Sequence, residues 1–305
     1  MKPLILLTDE LDPKIVKRKL GPHARFRAIG SRPKLLAALP AADALVTLVR
    51  DPVDEELLSR ARRLKVVGNV ATGIDNIDLA ACRRHGVRVV RTPGAPTRAT
   101  AELALALLLA AARRFHEGER LARDGRWKGW EPGQLLGIEL EGRTAVIVGK
   151  GSIGTELARL FRGIGLKVRF ITRKTSAAGI RKLLRQADVL SMNTPMNPAT
   201  RHWLDARKLA LLPREAIVIN TSRGPVVDER ALIRALESGR IFAAGLDVYE
   251  REPEIPAELR RLPNVVLLPH LGSATRKARA AMIELALDGV LGVLRGKRPW
   301  NEVVS

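Results

Sequence analysis

Three groups of polar residues in the second half of the chain could carry out acid-base chemistry on a small acid. Arg223 follows the predicted strand 217–220, carboxylates follow the next strand at residues 247–252, and His270 follows the strand after that. Because the carboxyl ends of parallel strands meet at one edge of a sheet, we expect these groups to lie close together. A guanidinium can bind a carboxylate through two parallel hydrogen bonds, and a histidine beside a carboxylate can exchange a proton with a substrate oxygen near neutral pH.

A glycine-rich loop in the middle of the chain adds a second chemical feature. The predicted buried strand 145–149 runs into Gly149, Gly151 and Gly154, spaced as G-x-G-x-x-G, and an amphipathic helix follows over residues 155–164. Such glycines allow a tight turn and close approach of the backbone to a pyrophosphate, which the helix N-terminus attracts. An ordinary glycine turn is the alternative, but the flanking strand and helix favour a dinucleotide site. We therefore predict cofactor contacts at Gly149, Gly151, Ser152, Ile153 and Gly154.

The next strand, 168–172, ends in Thr172, Arg173, Lys174 and Thr175. A dinucleotide-binding sheet normally carries an acidic residue at this place, where it hydrogen-bonds the adenosine ribose. These four residues include no carboxylate that would repel a 2′-phosphate, and their cations and hydroxyl groups can bind one. The sequence therefore favours NADP as the cofactor, with NAD as the open alternative.

A cation for a carboxylate, an acid-base histidine and a dinucleotide together predict one reaction. It is hydride transfer between a nicotinamide, which performs the redox step, and a 2-keto or 2-hydroxy acid. The sequence contains no set of His, Cys, Asp and Glu residues at metal-ligand spacing and no G-x-S-x-G motif. We therefore predict neither a metal site nor acyl-transfer chemistry.

Two series of strands and helices must position these groups. Both series alternate short apolar strands with helical stretches, and continuous apolar strands are typical of a parallel sheet that is covered on both faces. A chain of 305 residues also exceeds the usual size of one hydrophobic core. Long helices are predicted over residues 97–123 and 275–295.

We therefore predict an α/β protein of two Rossmann-like domains, each a parallel sheet flanked by helices. Residues 1–97 and 275–305 are expected to form the substrate domain. Residues 98–274 are expected to form a dinucleotide-binding domain that is inserted into it, because the glycine loop begins the second series of strands in mid-chain.

At its motifs the chain resembles the D-isomer-specific 2-hydroxyacid dehydrogenases, and within them it is most similar to the glyoxylate/hydroxypyruvate reductases. The resemblance runs from about residue 44 to residue 303 and is specific in combination. The matching segments are 70–78, 99–105, 125–130, 149–154, 220–229, 245–250 and 269–275.

The resemblance implies a role for each strand-end group. His270 would be the proton donor for reduction of the keto acid, and Arg223 would anchor the substrate. Glu252 would be the carboxylate partner of His270; Glu250 is its rival, but Glu252 has the family's spacing of five residues after Asp247. The implied reaction is reduction of glyoxylate or hydroxypyruvate, and a D-lactate-type or bulkier keto-acid reductase is the alternative.

The resemblance also implies the remaining contacts and an assembly. Backbone N–H groups at Thr72 and Gly73 would hold the substrate carboxylate, which assigns the first domain to the substrate. Members of the family are usually dimers through the nucleotide domain, with the apolar stretch 103–112 buried. Further cofactor contacts are expected at Pro195, Thr221, Ser222, Asp247 and Gly272.

The net charge of +21 could indicate a nucleic-acid partner. The arginines are scattered among acidic residues and aromatic residues make up only 3% of the chain, so we predict a basic solvated surface that attracts anionic ligands. A dehydrogenase-like protein that senses its cofactor and binds DNA is the alternative from another functional class.

Two further features bear on the compartment. The only cysteine, Cys82, excludes an internal disulfide and fits a reducing compartment, with a buried thiol on a helix. The longest apolar run, 103–112, is too short to span a membrane. We therefore expect a cytoplasmic protein with no membrane partner.

Overall fold

The computed structural model describes residues 2–303, within which the chain forms two compact units. The first unit consists of Met1–Pro96 and Ala274–Ser305, and the second unit consists of Thr97–Ser273. The second unit is therefore inserted into the sequence of the first. The predicted division put Thr97 in the first unit and Ala274 in the second, whereas in the structure Thr97 belongs to the second unit and Ala274 to the first. Which unit binds the substrate and which the cofactor remains a prediction.

The first unit is a five-stranded parallel sheet with helices between its strands. The strands are ordered β2-β1-β3-β4-β5, and every pairing is parallel. Its elements before the insertion are β1 (Leu4–Leu7), α1 (Pro13–Leu20), β2 (Arg25–Ala28), α2 (Arg32–Ala38), β3 (Ala44–Thr47), α3 (Glu55–Arg60), β4 (Val66–Asn69), α4 (Leu79–Arg84) and β5 (Arg88–Val90).

The second unit is a six-stranded parallel sheet with the strand order β11-β10-β9-β8-β6-β7. The chain then returns to the first unit through α12 (Arg276–Leu294). The second unit contains α5 (Thr97–Ala112), α6 (Phe115–Arg123), β6 (Thr144–Val148), α7 (Ser152–Gly163), β7 (Lys167–Ile171), α8 (Ala177–Arg185), β8 (Val189–Met192), α9 (Ala206–Leu209), β9 (Ile217–Asn220), α10 (Glu229–Glu237), β10 (Ala243–Leu246), α11 (Ala257–Arg261) and β11 (Val265–Leu267).

One long helix completes the core of each unit. In the first unit, α12 packs Ala286, Leu287 and Val290 among side chains of the sheet, and in the second, α5 packs Leu107 and Leu108 in the same way. Full burial of one aliphatic side chain contributes about 1.5–3 kcal/mol relative to exposure, so these helices are major sources of stability. The predicted class, two α/β units with parallel sheets flanked by helices, is confirmed.

The predicted single helix over residues 97–123 is wrong, because the chain breaks between α5 and α6. Arg114 adopts a left-handed backbone conformation with φ of 53°. The carbonyl of Ala112 accepts the N–H of Ile138 at 2.9 Å instead of continuing the helix, and Arg114 forms an ion pair with Glu117. A backbone contact from 26 residues away thus ends a helix whose composition would let it continue.

Cys82 lies on α4 and is buried, as predicted. Burial, together with the nearby charge of Asp78, raises the pKa of its thiol to about 11, so the thiolate that reacts with oxidants or metals is scarce near neutral pH. None of the helices in residues 2–303 combines the length and apolar composition that a membrane span requires.

Candidate active site

The second sheet reverses its winding between β6 and β8. The chain runs from β6 to β7 on one side and then crosses to β8 on the other side. In doubly wound sheets, ligands bind beyond the carboxyl ends of the strands at such a switch point. The glycine loop follows β6, and Pro195 follows β8, so the predicted cofactor contacts lie at this point of the sheet.

The glycine loop has the geometry of a phosphate cradle. Gly149 has φ of 109°, and a Cβ atom there would lie 2.3 Å from the carbonyl oxygen of Asn193. A Cβ on Gly154 would lie 2.3 Å from the carbonyl oxygen of Gly149, so only glycine allows this packing. A Cβ on Gly151, in contrast, would meet nothing within 4 Å. The loop is closely packed on the protein side and open where a ligand would approach.

The N-terminus of α7 supplies the attraction for that ligand. Its N-cap residue is Gly151, and no side chain accepts a hydrogen bond from the first turn, which contains Ser152, Ile153 and Gly154. Free N–H groups and the positive end of the helix dipole favour an anion at this position. The residues present therefore fit the pyrophosphate of a dinucleotide.

The turn after β7 presents two exposed cations, and the hydroxyl of Thr175 accepts a hydrogen bond within the turn. The N–H of Thr172 donates to Oγ1 of Thr175, and the N–H of Thr175 donates to the carbonyl oxygen of Thr172, both at 3.0 Å. Arg173 and Lys174 are exposed at the tip. No Asp or Glu occurs from residue 157 to residue 187, so nothing local neutralises these cations.

An asparagine at the end of β9 shapes the segment that carries Arg223. Asn220 donates from Nδ2 to the carbonyl oxygen of Arg223 at 3.0 Å, and its Oδ1 accepts from the N–H and hydroxyl of Ser222. Between them, Thr221 holds a buried hydroxyl that has no hydrogen-bond partner within residues 2–303. A hydroxyl is costly to bury without a partner, and this one is available to a ligand at a position where the sequence predicts a cofactor contact.

A backbone contact seats the Arg223 segment against the segment after β10. A Cβ on Gly224 would lie 1.9 Å from the carbonyl carbon of Tyr249, so a larger residue cannot occupy position 224. Burial raises the pKa of Glu252 and His270 lowers it; the charge of Arg223 also acts to lower it, to a lesser degree, so the predicted cation and carboxylate are close enough to interact. The expected convergence of strand ends is therefore present in this unit.

His270 and Glu252 form the predicted pair. Nδ1 of His270 lies 2.7 Å from Oε2 of Glu252, and Oε1 of Glu252 accepts the N–H of Tyr249 at 3.1 Å. Burial acts to raise the pKa of Glu252, but the hydrogen bond and charge of His270 outweigh it, so the pKa lies below its usual value. Glu252 is thus a carboxylate near neutral pH, and Nε2 of His270 is the ring nitrogen left to exchange a proton.

Asp247 fixes the backbone of His270. Its fully buried carboxylate accepts the N–H groups of Leu271 at 2.6 Å and Gly272 at 2.7 Å, and its carbonyl oxygen accepts the N–H of His270 at 2.9 Å. These bonds hold His270 in a left-handed conformation with φ of 55°. Burial raises the pKa of Asp247, although the two N–H bonds oppose this.

A second histidine-carboxylate pair was missed by the sequence analysis. Nε2 of His202 contacts Oε1 of Glu250, the residue that rivalled Glu252 as partner of His270. Sequence reasoning found no carboxylate near His202, because the two partners are 48 residues apart. The N–H of Glu250 also faces the carboxylate of Glu229 at 3.3 Å.

The predicted substrate residues Thr72 and Gly73 lie in the first unit, in the loop after β4. The hydroxyl of Thr72 donates to the carbonyl oxygen of Thr92 at 3.1 Å, and Asn69 donates to the carbonyl oxygen of Gly73 at 2.9 Å. The loop is therefore held by hydrogen bonds from its own unit.

Comparison with known proteins agrees with these observations. Residues 105–272 match the family model described as D-isomer specific 2-hydroxyacid dehydrogenase, NAD binding domain. The chain is 42% identical over 321 residues to the glyoxylate reductase of Thermococcus litoralis, covering 99% of this chain and 97% of that protein.

Solved structures are similar over the full length. A protein from Thermus thermophilus has a TM-score of 0.93 and 41% identity, covering 99% of this chain and 100% of that one. An NADPH-dependent glyoxylate/hydroxypyruvate reductase from Sinorhizobium meliloti, solved with NADP and malonate, has a TM-score of 0.90 and 29% identity, covering 100% and 97%. The chain therefore belongs to the D-isomer-specific 2-hydroxyacid dehydrogenases, the family that its motifs predicted.

Proposed function

We propose that this protein reduces a small 2-keto acid, glyoxylate or hydroxypyruvate in first place, to the D-2-hydroxy acid with NADPH. The observation that carries the proposal is the His270–Glu252 pair at 2.7 Å beside the charge of Arg223. The similarity to glyoxylate reductases and to a reductase solved with NADP supports it.

Each group at the strand ends has a distinct task in this reaction. Arg223 binds the carboxylate of the keto acid and polarises the neighbouring carbonyl. Nε2 of His270 donates a proton to the carbonyl oxygen as it becomes an alkoxide. Glu252 accepts the Nδ1 hydrogen, which orients the ring so that Nε2 can donate the proton. The nicotinamide, when bound, supplies the hydride.

The cofactor is held by the glycine loop and by the turn after β7. The N–H groups of Ser152, Ile153 and Gly154 would hold the pyrophosphate, and the unpaired hydroxyl of Thr221 would offer a further hydrogen bond. Arg173 and Lys174 bind the 2′-phosphate that distinguishes NADP from NAD. Contacts with the rest of the cofactor are expected at Pro195, Ser222, Asp247 and Gly272.

Initial rates with NADPH and with NADH on a panel of keto acids test this proposal. Glyoxylate and hydroxypyruvate should be reduced faster than pyruvate and bulkier keto acids, and NADPH should have the higher kcat/KM. Turnover of none of these acids with either cofactor would exclude the proposal. Faster turnover of pyruvate would favour the D-lactate-type alternative.

The second unit also exposes an apolar surface. Most of the apolar residues of α5 pack in the core of the second unit. The most exposed apolar side chains of this unit come later in the chain, after the C-terminus of α5. Phe115, Trp127, Trp130 and Leu136 are each more than half exposed. Phe115 and Trp127 also line a groove of about 760 Å³. Exposed aromatic patches of this kind mark protein interfaces, so we propose a homodimer through this face.

Sedimentation of the wild-type protein and of Phe115→Glu tests the dimer. The wild type should sediment as a dimer and the variant as a monomer, because a charge buried in an apolar interface has no partner. Gln186→Glu, at an exposed position outside this patch, is the control for one added negative charge. A wild-type monomer at micromolar concentration would contradict this proposal.

A further inference from the structure

We infer that Asn69 and Asn76 are positioning residues that aim the backbone N–H groups of the loop over residues 70–75 at the substrate carboxylate. The inference rests on the proposed function, and on the expectation from the family resemblance that backbone N–H groups at Thr72 and Gly73 hold the carboxylate of the keto acid. The two asparagines touch neither the reacting carbonyl nor the cofactor in that proposal. They act by holding the loop.

Asn69 sits beneath the loop at the end of β4 and is fully buried. Its Nδ2 donates to the carbonyl oxygen of Gly73 at 2.9 Å and to Oδ1 of Asn76 at 3.1 Å. Its Oδ1 accepts the hydroxyl of Thr47 at 3.1 Å. Both Nδ2 hydrogens and the Oδ1 of this buried amide are therefore hydrogen-bonded, which gives the amide a single orientation.

Asn76 ties the same loop to the segment that follows β3. Its Nδ2 donates to the carbonyl oxygen of Asp51 at 2.8 Å and to that of Leu48 at 3.1 Å. Backbone carbonyls can only accept, so the nitrogen of this amide, and not its oxygen, must face them. Asn69 and Asn76 thus form a polar bridge under the loop.

Three consecutive carbonyl groups of the loop are occupied by donors from the first unit. This is unusual for a surface loop, whose carbonyls normally face water. The carbonyl oxygen of Ala71 accepts the N–H of Thr92 at 2.9 Å, that of Thr72 accepts Nη1 of Arg91 at 3.1 Å, and that of Gly73 accepts Nδ2 of Asn69 at 2.9 Å.

The direction of the N–H groups follows from this arrangement. In a trans peptide the N–H points opposite to the C=O of the same unit, so the N–H groups of Thr72, Gly73 and Ile74 point away from those donors. None of the three N–H groups donates a hydrogen bond within residues 2–303. Successive free N–H groups make a concave anion site, and a carboxylate accepts such bonds strongly.

Substitution by aspartate reverses the contacts of either asparagine while nearly conserving its shape. In Asn69→Asp, an oxygen would face the carbonyl oxygen of Gly73, and in Asn76→Asp, an oxygen would face those of Leu48 and Asp51. In Asn69→Asp, the Gly73 peptide would turn to avoid the repulsion, which misdirects the N–H of Ile74. In Asn76→Asp, residue 76 would move away from the two carbonyls, which shifts the end of the loop over residues 70–75. We expect the KM for the keto acid to rise about 10- to 100-fold, while kcat and the Kd for NADPH stay within about threefold.

A matched control separates positioning from stability. Asp43 is a buried residue at the opposite, amino edge of the same sheet, where it accepts the N–H of Leu4 at 2.8 Å and pairs with Arg63. Asp43→Ala should lower Tm without changing the KM. Asn76 is less buried than Asn69, so Asn76→Asp keeps the test valid if Asn69→Asp fails to fold.

Hydrogen exchange gives a reading that does not depend on turnover. Oxalate, a planar dicarboxylate that accepts no hydride, should slow exchange of residues 70–75 in the wild type but not in the two asparagine variants. Protection of this loop in a wild type that reduces no keto acid would exclude the proposed function and leave the inference standing. Wild-type KM in both variants, a KM rise of equal size in Asp43→Ala, or no oxalate protection in the wild type would overturn it.

Discussion

The two units share one winding but differ in the helix N-terminus that comes after their first strand. In each sheet the chain leaves the first strand, β1 or β6, for a neighbour on one side and then crosses to the other side. Each sheet therefore has a switch point, and each could bind a ligand there. In the first unit, Asp12 caps α1 and its carboxylate accepts the N–H groups of Lys14 and Ile15. In the second unit, Gly151 leaves the start of α7 uncapped.

This difference shows how little separates a structural turn from an anion site. The fold supplies a helix N-terminus at the carboxyl edge of both sheets. A carboxylate on the protein satisfies one of them, so the free N–H groups and the dipole are already used. A glycine leaves the other for a ligand. The winding alone therefore does not predict a nucleotide site, because the N-cap residue determines whether the N–H groups of the helix are free to bind an anion.

The units also differ in their histidine-carboxylate pairs. In the first unit, Nε2 of His85 lies 2.6 Å from Oε1 of Glu55, at the ends of two helices. In the second unit, His270 and Glu252 follow strands, beside Arg223. A similar distance thus occurs in both pairs, and Glu55 also pairs with Arg84 at 2.6 Å, so a nearby cation does not distinguish them. The second pair differs because its members follow strands, at the edge of the sheet where ligands bind.

The largest expected effect separates these two pairs. His270→Ala should lower kcat about 10²- to 10⁴-fold, because it removes the proton donor, whereas His85→Ala should leave kcat unchanged. Initial rates at saturating NADPH measure both. A full rate in His270→Ala, or an equal loss in His85→Ala, would remove the distinction between the two pairs.

The next prediction concerns a substitution that gives α7 the same N-cap residue type as α1. Gly151→Asp should weaken NADPH binding about 100-fold, because its carboxylate would cap α7 and repel the pyrophosphate. A Cβ at this position has open space, so the protein should still fold. Gly151→Ala is the control for bulk and should have a smaller effect. Titration by cofactor fluorescence gives both Kd values, and a wild-type Kd in Gly151→Asp would count against an anion site at α7.

A smaller effect is expected on the choice of cofactor, from the cations that follow the edge strand β7. Replacing Arg173 and Lys174 by alanine should raise the KM for NADPH about tenfold and leave that for NADH unchanged, since only NADPH carries the 2′-phosphate. Arg27→Ala, on the edge strand β2 of the first unit, is the matched control. Equal changes in both KM values would show that the turn after β7 does not read this phosphate.

The smallest effect concerns stability and pH. Because the pKa of Glu252 is lower in the folded chain than its ordinary value of 4.5, its ionised form stabilises the fold above that value, and this contribution is lost as pH falls through the lowered pKa. The carboxylate is partly exposed, so the contribution should be below about 1 kcal/mol. The difference in unfolding free energy between the wild type and Glu252→Gln should shrink as pH falls below about 5. A difference that grows on acidification would contradict this sign.

Most of the fold follows from local patterns. The apolar runs at β6, β8 and β9 are long enough and uniform enough to predict buried parallel strands, and the glycine loop marks where the first of them ends. The break between α5 and α6 does not follow, because it depends on a hydrogen bond from Ile138 to Ala112. Local propensity cannot report a partner that arrives from a distant segment.

The candidate site divides in the same way. Arg223, His270 and the carboxylates at residues 247–252 were predicted because each group follows a strand, and strand order then brings them to one edge. The choice of Glu252 over Glu250 came from the spacing of the family motif. The pairing of Glu250 with His202, and the bridge formed by Asn69 and Asn76, carry no comparable signal in the sequence. An asparagine after a strand has many structural uses, and only its partners distinguish them.

By itself the sequence determined the α/β class, the family, the place of the glycine loop and the residue types available for acid-base chemistry. Those features depend on short-range periodicity and spacing, which the chain carries locally. Tertiary structure decided which carboxylate meets His270, that Asp247 holds the His270 turn, and that Asn69 and Asn76 hold the loop after β4. These are contacts between segments far apart in the chain, and their energies depend on distances and directions that exist only once the sheets have formed.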